Sequence, residues 1–551
     1  MKILLRNFTL LFLTVCVLSS PSVADEKEDL LVIRNTVINL LQQLVEQGVM
    51  SPEQAAQLVE TAKQSAEAEA IELRKSEEVP EETIRVQYVP EIVKQEIRDE
   101  VRNELRAEVT QDVIKHAEAN RWGVKDALPG WLNRIKIGGD IRLRAEGIYQ
   151  DEDNSPFYID PADTNDEKSI QLLNTQDDSE RGRVRMRLNI TAQVNDSVEA
   201  GIRFSTGNSD EPISTNQSLA DNSSPYDVVL DLAYLKYTRT NFDGYDWLTA
   251  WGGRMPNPWF HTDTLWDSDL NFAGAAVTAR YNFPGSDSLY DLTESNKEMF
   301  FTFGAFPLEE YDRSSNDPWL FGAQLGGIYT MENQSRFKAG LAYYYYDGIR
   351  NKRAAPGSGS EDDFRAPRTP GIGNTYFEIQ DPLSSNVLLG YATDYELLDF
   401  TAKVDLMMYA PYRLTLSGNF VENIGYDLDS VAEQVLGSDY DEETTAYQMR
   451  VDFGWPSAKL PGKWKVFALY KHVERDAVLA SFTDSDFHGG GTDAEGYMLG
   501  GEYGIAKNTW FRFRWISTDE IDGPEWEGID CDALNCDFSY DRAQFDLNAK
   551  F

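Results

Sequence analysis

The sequence predicts an all-β transmembrane barrel of about sixteen antiparallel strands, preceded by a periplasmic α-helical, coiled-coil segment. Three observations carry this. From Arg134 onward, polar and apolar side chains alternate with a period of two; long polar stretches alternate with tight turns; and before Arg134 the apolar residues recur every three or four positions. A period of two places successive side chains on opposite faces of a strand, whereas the three-and-four spacing lines one side of a helix.

Taken in order, residues 1–24 read as a signal peptide. Lys2 and Arg6 precede an apolar run from Phe8 to Leu18, and Ser22-Val23-Ala24 fits a small-x-small cleavage site. The run is too short and wrongly flanked for a spanning helix. Cys16 follows Val15, where a lipidation site wants a small residue. Residues 25–125 form the helical segment. Leu30, Ile33, Val37, Leu40 and Leu44 make a heptad seam that Gly48 can end. Ser51 with Pro52 and Gln54 starts a second helix with a capping-box pattern. A third, from about Pro90 to Asn120, spans roughly 45 Å at about 1.5 Å per residue. Its apolar residues recur every fourth position from Val93 to Ala117, so the stripe winds around the helix. It fits a solvated charged helix and an oligomeric stalk equally well.

Residues 131–551 read as the barrel. Alternation is unbroken over Arg134–Arg144 and Arg181–Ile190. Further strands are expected to start close to residues 197, 228, 246, 270, 297, 319, 335, 397, 413, 444, 463, 495, 508 and 541, each near the ten residues that a tilted membrane strand needs. Tight turns fall at Asn195-Asp196, Phe242-Asp243-Gly244, Glu332-Asn333-Gln334, Ala410-Pro411-Tyr412 and Ala506-Lys507-Asn508. Long stretches fall at 151–180, 208–227, 256–269, 308–318, 348–396, 425–443, 476–494 and 519–540. Short periplasmic turns and long outer loops are the habit of an outer-membrane barrel, and an even strand number leaves both chain ends in the periplasm.

Energy assigns the faces. An arginine on the lipid face near mid-bilayer costs about 2–4 kcal/mol. Arg181, Arg183, Arg185 and Arg187 must therefore point into the barrel, leaving Val184, Met186, Leu188 and Ile190 to the lipid. In the last strand Phe545, Leu547, Ala549 and Phe551 share one face, and Gln544, Asp546, Asn548 and Lys550 the other. Tyr343, Tyr345, Tyr447, Phe453, Phe511, Phe513 and Trp515 fall on apolar faces and fit interfacial girdles.

The formal net charge of −41 argues against nucleic acid as a partner. It fits acidic solvated loops, and it also permits divalent-cation bridging to anionic surface lipid. Cys531 and Cys536, separated by Asp-Ala-Leu-Asn, read as a disulfide in an exported protein, with metal binding as the rival and no histidine nearby to favour it. So short a ring restrains a loop more than it stabilises a barrel.

The segment Gly253-Arg254-Met255-Pro256-Asn257-Pro258-Trp259-Phe260, followed by Trp266-Asp267-Ser268-Asp269-Leu270-Asn271-Phe272, resembles a motif of the proteobacterial putative-porin family. Trp131-Leu132-Asn133-Arg134-Ile135 leading into Gly139-Asp140-Ile141-Arg142-Leu143-Arg144 resembles it too. Terminal Phe551 after an alternating strand resembles the signal read by barrel assembly machinery. The resemblance implies a passive diffusion channel in the outer membrane of a Gram-negative bacterium, set among lipid and lipopolysaccharide. It also implies a homotrimer, and it names no solute.

By strand count, Met255–Asp269 is the third outer loop, which the resemblance folds into the lumen. Pro256 and Pro258 stiffen its start, and it carries Asp263, Asp267 and Asp269. Opposite would stand Arg142 and Arg144 on strand one, Arg183, Arg185 and Arg187 on strand two, Arg203 on strand three, and Arg512 and Arg514 on strand fifteen, one contiguous basic wall in a closed barrel. Such a wall facing an acidic loop sets a transverse field across a water-filled constriction. The alternatives are an ordinary packed loop, and arginines paired locally with Asp140, Glu146 and Glu199.

An enzyme is not expected. Of the four histidines, His116, His261, His472 and His488, none is spaced to serve a serine or metal constellation. No metal-ligand pattern, phosphate loop or cofactor motif is present, so no cofactor is expected. A solute-selective channel, or a tether to peptidoglycan through the N-terminal helices, stands as the alternative function. The run Tyr343–Tyr346 could stack a sugar, but alternate members would face lipid.

Overall fold

The computed structural model describes residues 134–209, 211–242, 244–283, 297–311, 317–356, 366–381, 384–435, 442–523 and 538–551. The signal peptide, the helical segment and the Cys531–Cys536 pair lie outside the described residues.

Among these residues, sixteen strands run antiparallel, each to its sequence neighbour, and the last pairs with the first. They are β1 (Ile135–Gln150), β2 (Ser179–Asn195), β3 (Val198–Ser205), β4 (Val229–Thr240), β5 (Asp246–Pro256), β6 (Asn271–Asn282), β7 (Lys297–Pro307), β8 (Trp319–Thr330), β9 (Arg336–Asp347), β10 (Glu396–Tyr409), β11 (Tyr412–Asn423), β12 (Thr445–Gly454), β13 (Trp464–Val473), β14 (Ala494–Ala506), β15 (Thr509–Glu520) and β16 (Ser539–Lys550). Every strand begins within two residues of its expected start. Because β3 stops at Ser205 opposite Arg187, the rest of β2 is left open, and a two-residue strand, Gln217–Ser218, pairs there with Val184 and Arg183.

Closure joins Asp140 to Lys550 and continues to Gln150 opposite Tyr540. Beyond it, Gly139 and Phe551 exchange two backbone hydrogen bonds of 3.0 Å. A Cβ at Gly139 would stand 2.3 Å from the Arg187 carbonyl oxygen and 2.8 Å from the Phe551 ring, so only glycine lets the seam close this tightly. Apart from the end of β2 that Gln217–Ser218 partly covers, the closed ring leaves no strand edge open, which is what a strand structure needs if it is to sit in hydrocarbon.

The outer surface is apolar and the inner surface polar. Ile141, Leu143, Phe301, Phe303, Leu325, Met449, Leu499, Phe513 and Phe545 are exposed, while Arg142, Arg144, Thr278, Thr302, Gln324, Thr401, Gln448, Gln544 and Asp546 are buried. This inverts the usual order of a protein in water, and a continuous apolar band requires a lipid surround.

Two features differ from the sequence reading. Of the connections at the short-turn end, 283–296 and 455–463 are longer than turns. At the opposite, long-loop end the inner face also turns apolar: Phe306, Leu320, Tyr344, Tyr346, Leu397, Val421, Ala446 and Val473 pack with loop residues into one core. That core is why Tyr343 and Tyr345 are exposed while Tyr344 and Tyr346 are fully covered. Two short helices, α1 (Pro161–Glu167) and α2 (Leu428–Gln434), and a small hairpin, Tyr376–Glu378 with Leu389–Tyr391, lie in the long loops.

Candidate functional site

The connection from β5 to β6, residues 257–270, is built to leave the barrel rim and cross the interior. The Asn257 side chain accepts a hydrogen bond of 2.9 Å from the Trp259 backbone N–H, a local turn that Pro258 suits. Trp259 sets its edge against Tyr344 and Phe306, at 5.2 and 6.2 Å between ring centres. Gly304 and Gly322 make room for it, since Cβ atoms there would come within 2.9 and 2.6 Å of the indole. Trp266, fully buried, meets Phe272 at 5.0 Å, Tyr344 at 5.3 Å and Phe482 at 5.8 Å.

Between these anchors the segment is stitched to inward side chains. Gln324 of β8 accepts from the Phe260 N–H at 2.8 Å and donates to the Phe260 carbonyl at 2.7 Å. Thr262 donates to Asn419 of β11 at 2.7 Å, and Thr264 donates to Gln448 of β12 at 2.9 Å. Lys471 of β13 lies 3.4 Å from the Asp263 carboxylate. At the far end Asp269 meets Arg187 at 3.0 Å and Arg185 at 3.4 Å on β2, and accepts from Thr215 at 3.1 Å.

The three aspartates differ electrostatically. Burial would raise the Asp269 carboxyl, but Arg185, Arg187 and Arg142 hold it below the usual range. Asp263 is likewise held low against its burial, by Lys471 and Arg450. Asp267 is pushed well up by burial and by the neighbouring Asp484 and Asp269, and among the described residues it accepts from the N–H groups of Asp269 and Ser485, at 2.6 and 2.9 Å.

The arginines of β1, β2 and β15 share one stretch of wall, each with close partners. Arg144 binds Asp546 at 2.7 Å and Asp486 at 3.0 Å, and stands 3.5 Å from Glu146. Glu146 also holds Arg181 at 2.6 Å and Arg183 at 3.9 Å. Asp140 lies between Arg185 and Arg187, at 3.1 and 3.0 Å. Arg142 is hydrogen bonded to Asn216. Arg512 pairs with Glu502 at 2.5 Å and Arg514 with Asp486 at 2.5 Å. Arg203 is set apart, paired with Asp231 and not with Glu199. Carboxylates are thus threaded between the arginines of β1, β2 and β15.

Sequence reasoning missed a second inward segment, the β13–β14 connection, residues 474–493. It clamps the first: the Asp267 N–H donates to the Phe482 carbonyl at 2.8 Å and the Asp484 N–H to the Asp263 carbonyl at 3.2 Å. Its Asp486 reaches the wall. Arg542 was missed as well, although it shares the parity of Gln544 and Asp546 and was readable for that reason. Nothing in the run Asp484-Ser485-Asp486 marks it as an inward loop.

A cleft of about 270 Å³ is lined jointly by Arg142, Arg512 and Arg514 and by Asp263, Asp267, Asp269 and Asp486. A second, of about 430 Å³, lies between Thr262–Asp263 and the inward residues Lys403, Arg450, Asp452 and Lys465. Away from the wall, carboxylate oxygens of Glu443, Asp493 and Asp522 converge within 4.8 Å of one another, with Arg475 at 3.1 Å from Glu443 as counter-charge. The absence of a metal-ligand pattern in the sequence did not anticipate this grouping.

A family model described as "Putative porin" matches residues 34–551. No curated protein matches the chain. Among solved structures, OprB of Pseudomonas putida at high pH aligns with TM-score 0.41 and 13% identity, covering 76% of this chain and 95% of that one. The outer membrane channel DcaP of Acinetobacter baumannii aligns with TM-score 0.39 and 10% identity, covering 76% and 97%. OmpF of Salmonella typhi, in complex with daunomycin, aligns with TM-score 0.38 and 10% identity, covering 76% and 99%.

Proposed function

The chain belongs to the putative-porin family, and from that premise we propose that it is an outer-membrane channel for passive diffusion of ions and small hydrophilic solutes. The lumen is narrowed where residues 257–270 approach the basic wall of β1, β2 and β15. The observation that carries this reading is the stitching of that segment to β8, β11 and β12 on one side and to Arg185 and Arg187 on the other. A connection that spans the interior on both sides must set the free cross-section, and the groups beside it set which charges pass.

The transverse field is smaller than a bare arginine wall would give, because Asp140, Glu146, Asp486 and Asp546 offset part of it. The partners proposed with this reading are outer-membrane lipid and lipopolysaccharide, two further copies of the chain, and assembly machinery that reads Phe551. A tether to peptidoglycan through residues 25–125 would add to the channel and not replace it.

The test is solute flux into liposomes carrying the purified full-length protein. Flux is expected to rise linearly with the gradient and to fall steeply as uncharged polar solutes grow. Flux that saturates for one solute and excludes others of equal size would replace this reading with a solute-selective channel. No flux at all would remove the channel.

A further inference from the structure

Asp486 lies within the 474–493 connection, and its carboxylate is surrounded by donors from three adjoining strands. Oδ1 accepts from Arg144 of β1 at 3.0 Å and from Gln544 of β16 at 2.8 Å, and Oδ2 accepts from Arg514 of β15 at 2.5 Å. Arg542 of β16 lies 3.5 Å away. Planar guanidinium forks converging on two oxygens are the geometry by which proteins recognise carboxylate and phosphate.

Two further observations mark this as an anion site and not a simple structural ion pair. Among the described residues, Asp486 is the one carboxylate within ion-pair distance of Arg514 and of Arg542. The Nε atoms of Arg142, Arg514 and Arg542 are buried with no hydrogen-bond partner among the described residues, so donor capacity is left over even with Asp486, Asp546 and Glu146 close by. The site also opens on the 270 Å³ cleft, whose lining includes Arg142, Arg514 and Asp486.

We propose that the Asp486 carboxylate occupies the anion position of a subsite for a small oxyanion, and that a carboxylate or phosphate group of a permeating solute takes that position when the loop yields it. The chain supplies its own stand-in for the cargo. With the stand-in seated, part of the wall's positive charge is offset and the lumen is weakly anion-selective; with it displaced, Arg514 and Arg542 lose their carboxylate while Arg144 keeps Asp546. This rests on the channel reading above and names the solute class of the same lumen.

The experiment compares the full chain with Asp486→Asn and Asp486→Ser in planar bilayers, with folded barrel content read by heat-modifiable gel mobility. Two variants are carried so that a folding defect in one does not decide the result. Asp486→Glu keeps the charge as a control. In chloride solutions, Asn and Ser are expected to move the reversal potential toward anion preference. Added acetate or phosphate is expected to block their chloride current at concentrations about tenfold lower than in the native chain, and Asp486→Glu to behave as native. Acetate and phosphate, tested separately, decide which oxyanion the site prefers. Combining Asp486→Asn with Arg514→Gln and Arg542→Gln is expected to abolish the block. Conducting variants with unchanged reversal potential and unchanged block overturn the subsite while leaving the channel intact. A native chain that carries no current overturns both.

Discussion

Replacing Arg185 and Arg187 together with glutamate is expected to turn the lumen cation-selective and to unseat the end of the 257–270 segment. In the native chain these two guanidiniums share Asp140 and Asp269, at 3.0 to 3.4 Å. The double variant places four carboxylates where two arginines and two aspartates formed four ion pairs. Two like charges 4 Å apart cost about 4 kcal/mol at an effective dielectric of about 20, more than the hydrogen bond from Thr215 can offset. Asp269 should therefore swing away or take up a proton. A change of about 1.4 kcal/mol between the barriers for cations and anions is a factor of ten, so the permeability ratio is expected to shift at least that far. Reversal potentials under a potassium chloride gradient read it directly. An unchanged potential would take Arg185 and Arg187 out of the narrow region.

The second large effect is expected from Trp266→Ala. The indole is fully buried between Phe272, Tyr344 and Phe482. Truncating a buried tryptophan costs about 3–5 kcal/mol. Trp266 lies outside the sixteen strands, so the loss is expected to fall on the docking of the segment and on its clamp at Phe482. Single-channel conductance is expected to rise and become noisier, while urea unfolding of the barrel in micelles moves little. Unchanged conductance would mean that the segment is not what narrows the lumen. A fall in barrel stability matching the full cost would mean that the inner core supports the wall.

The strands were legible because a membrane barrel writes its two solvents into successive residues. Arg181 to Arg187 against Val184 to Ile190 is the plainest case, and Gln544-Phe545-Asp546-Leu547 follows the same logic. The position of the third loop followed from counting strands; of its aspartates, Asp269 meets Arg185 and Arg187, whereas Asp263 lies against Lys471 and Asp267 accepts from backbone N–H groups. What was not legible lies at the long-loop end. There Tyr344, Tyr346 and Val421 face inward and their neighbours Tyr343, Tyr345 and Phe420 face outward, so both faces are apolar and the alternation carries no signal. The inward seat of residues 474–493 depends on that hidden core and on contacts with residues some 200 positions away, such as Ser485 with Asp267. Pairings such as Arg144 with Asp486 are set by how the ring closes, which no local pattern encodes.

A channel of this kind requires β2 to have one face in water and the other in lipid. Single cysteines at Leu188, Asn189, Ile190 and Thr191, in a chain whose own cysteines are replaced, would be exposed to a membrane-impermeant thiol reagent in proteoliposomes. Reaction at positions 189 and 191 is expected, with protection at 188 and 190. Equal reaction at all four positions would contradict it.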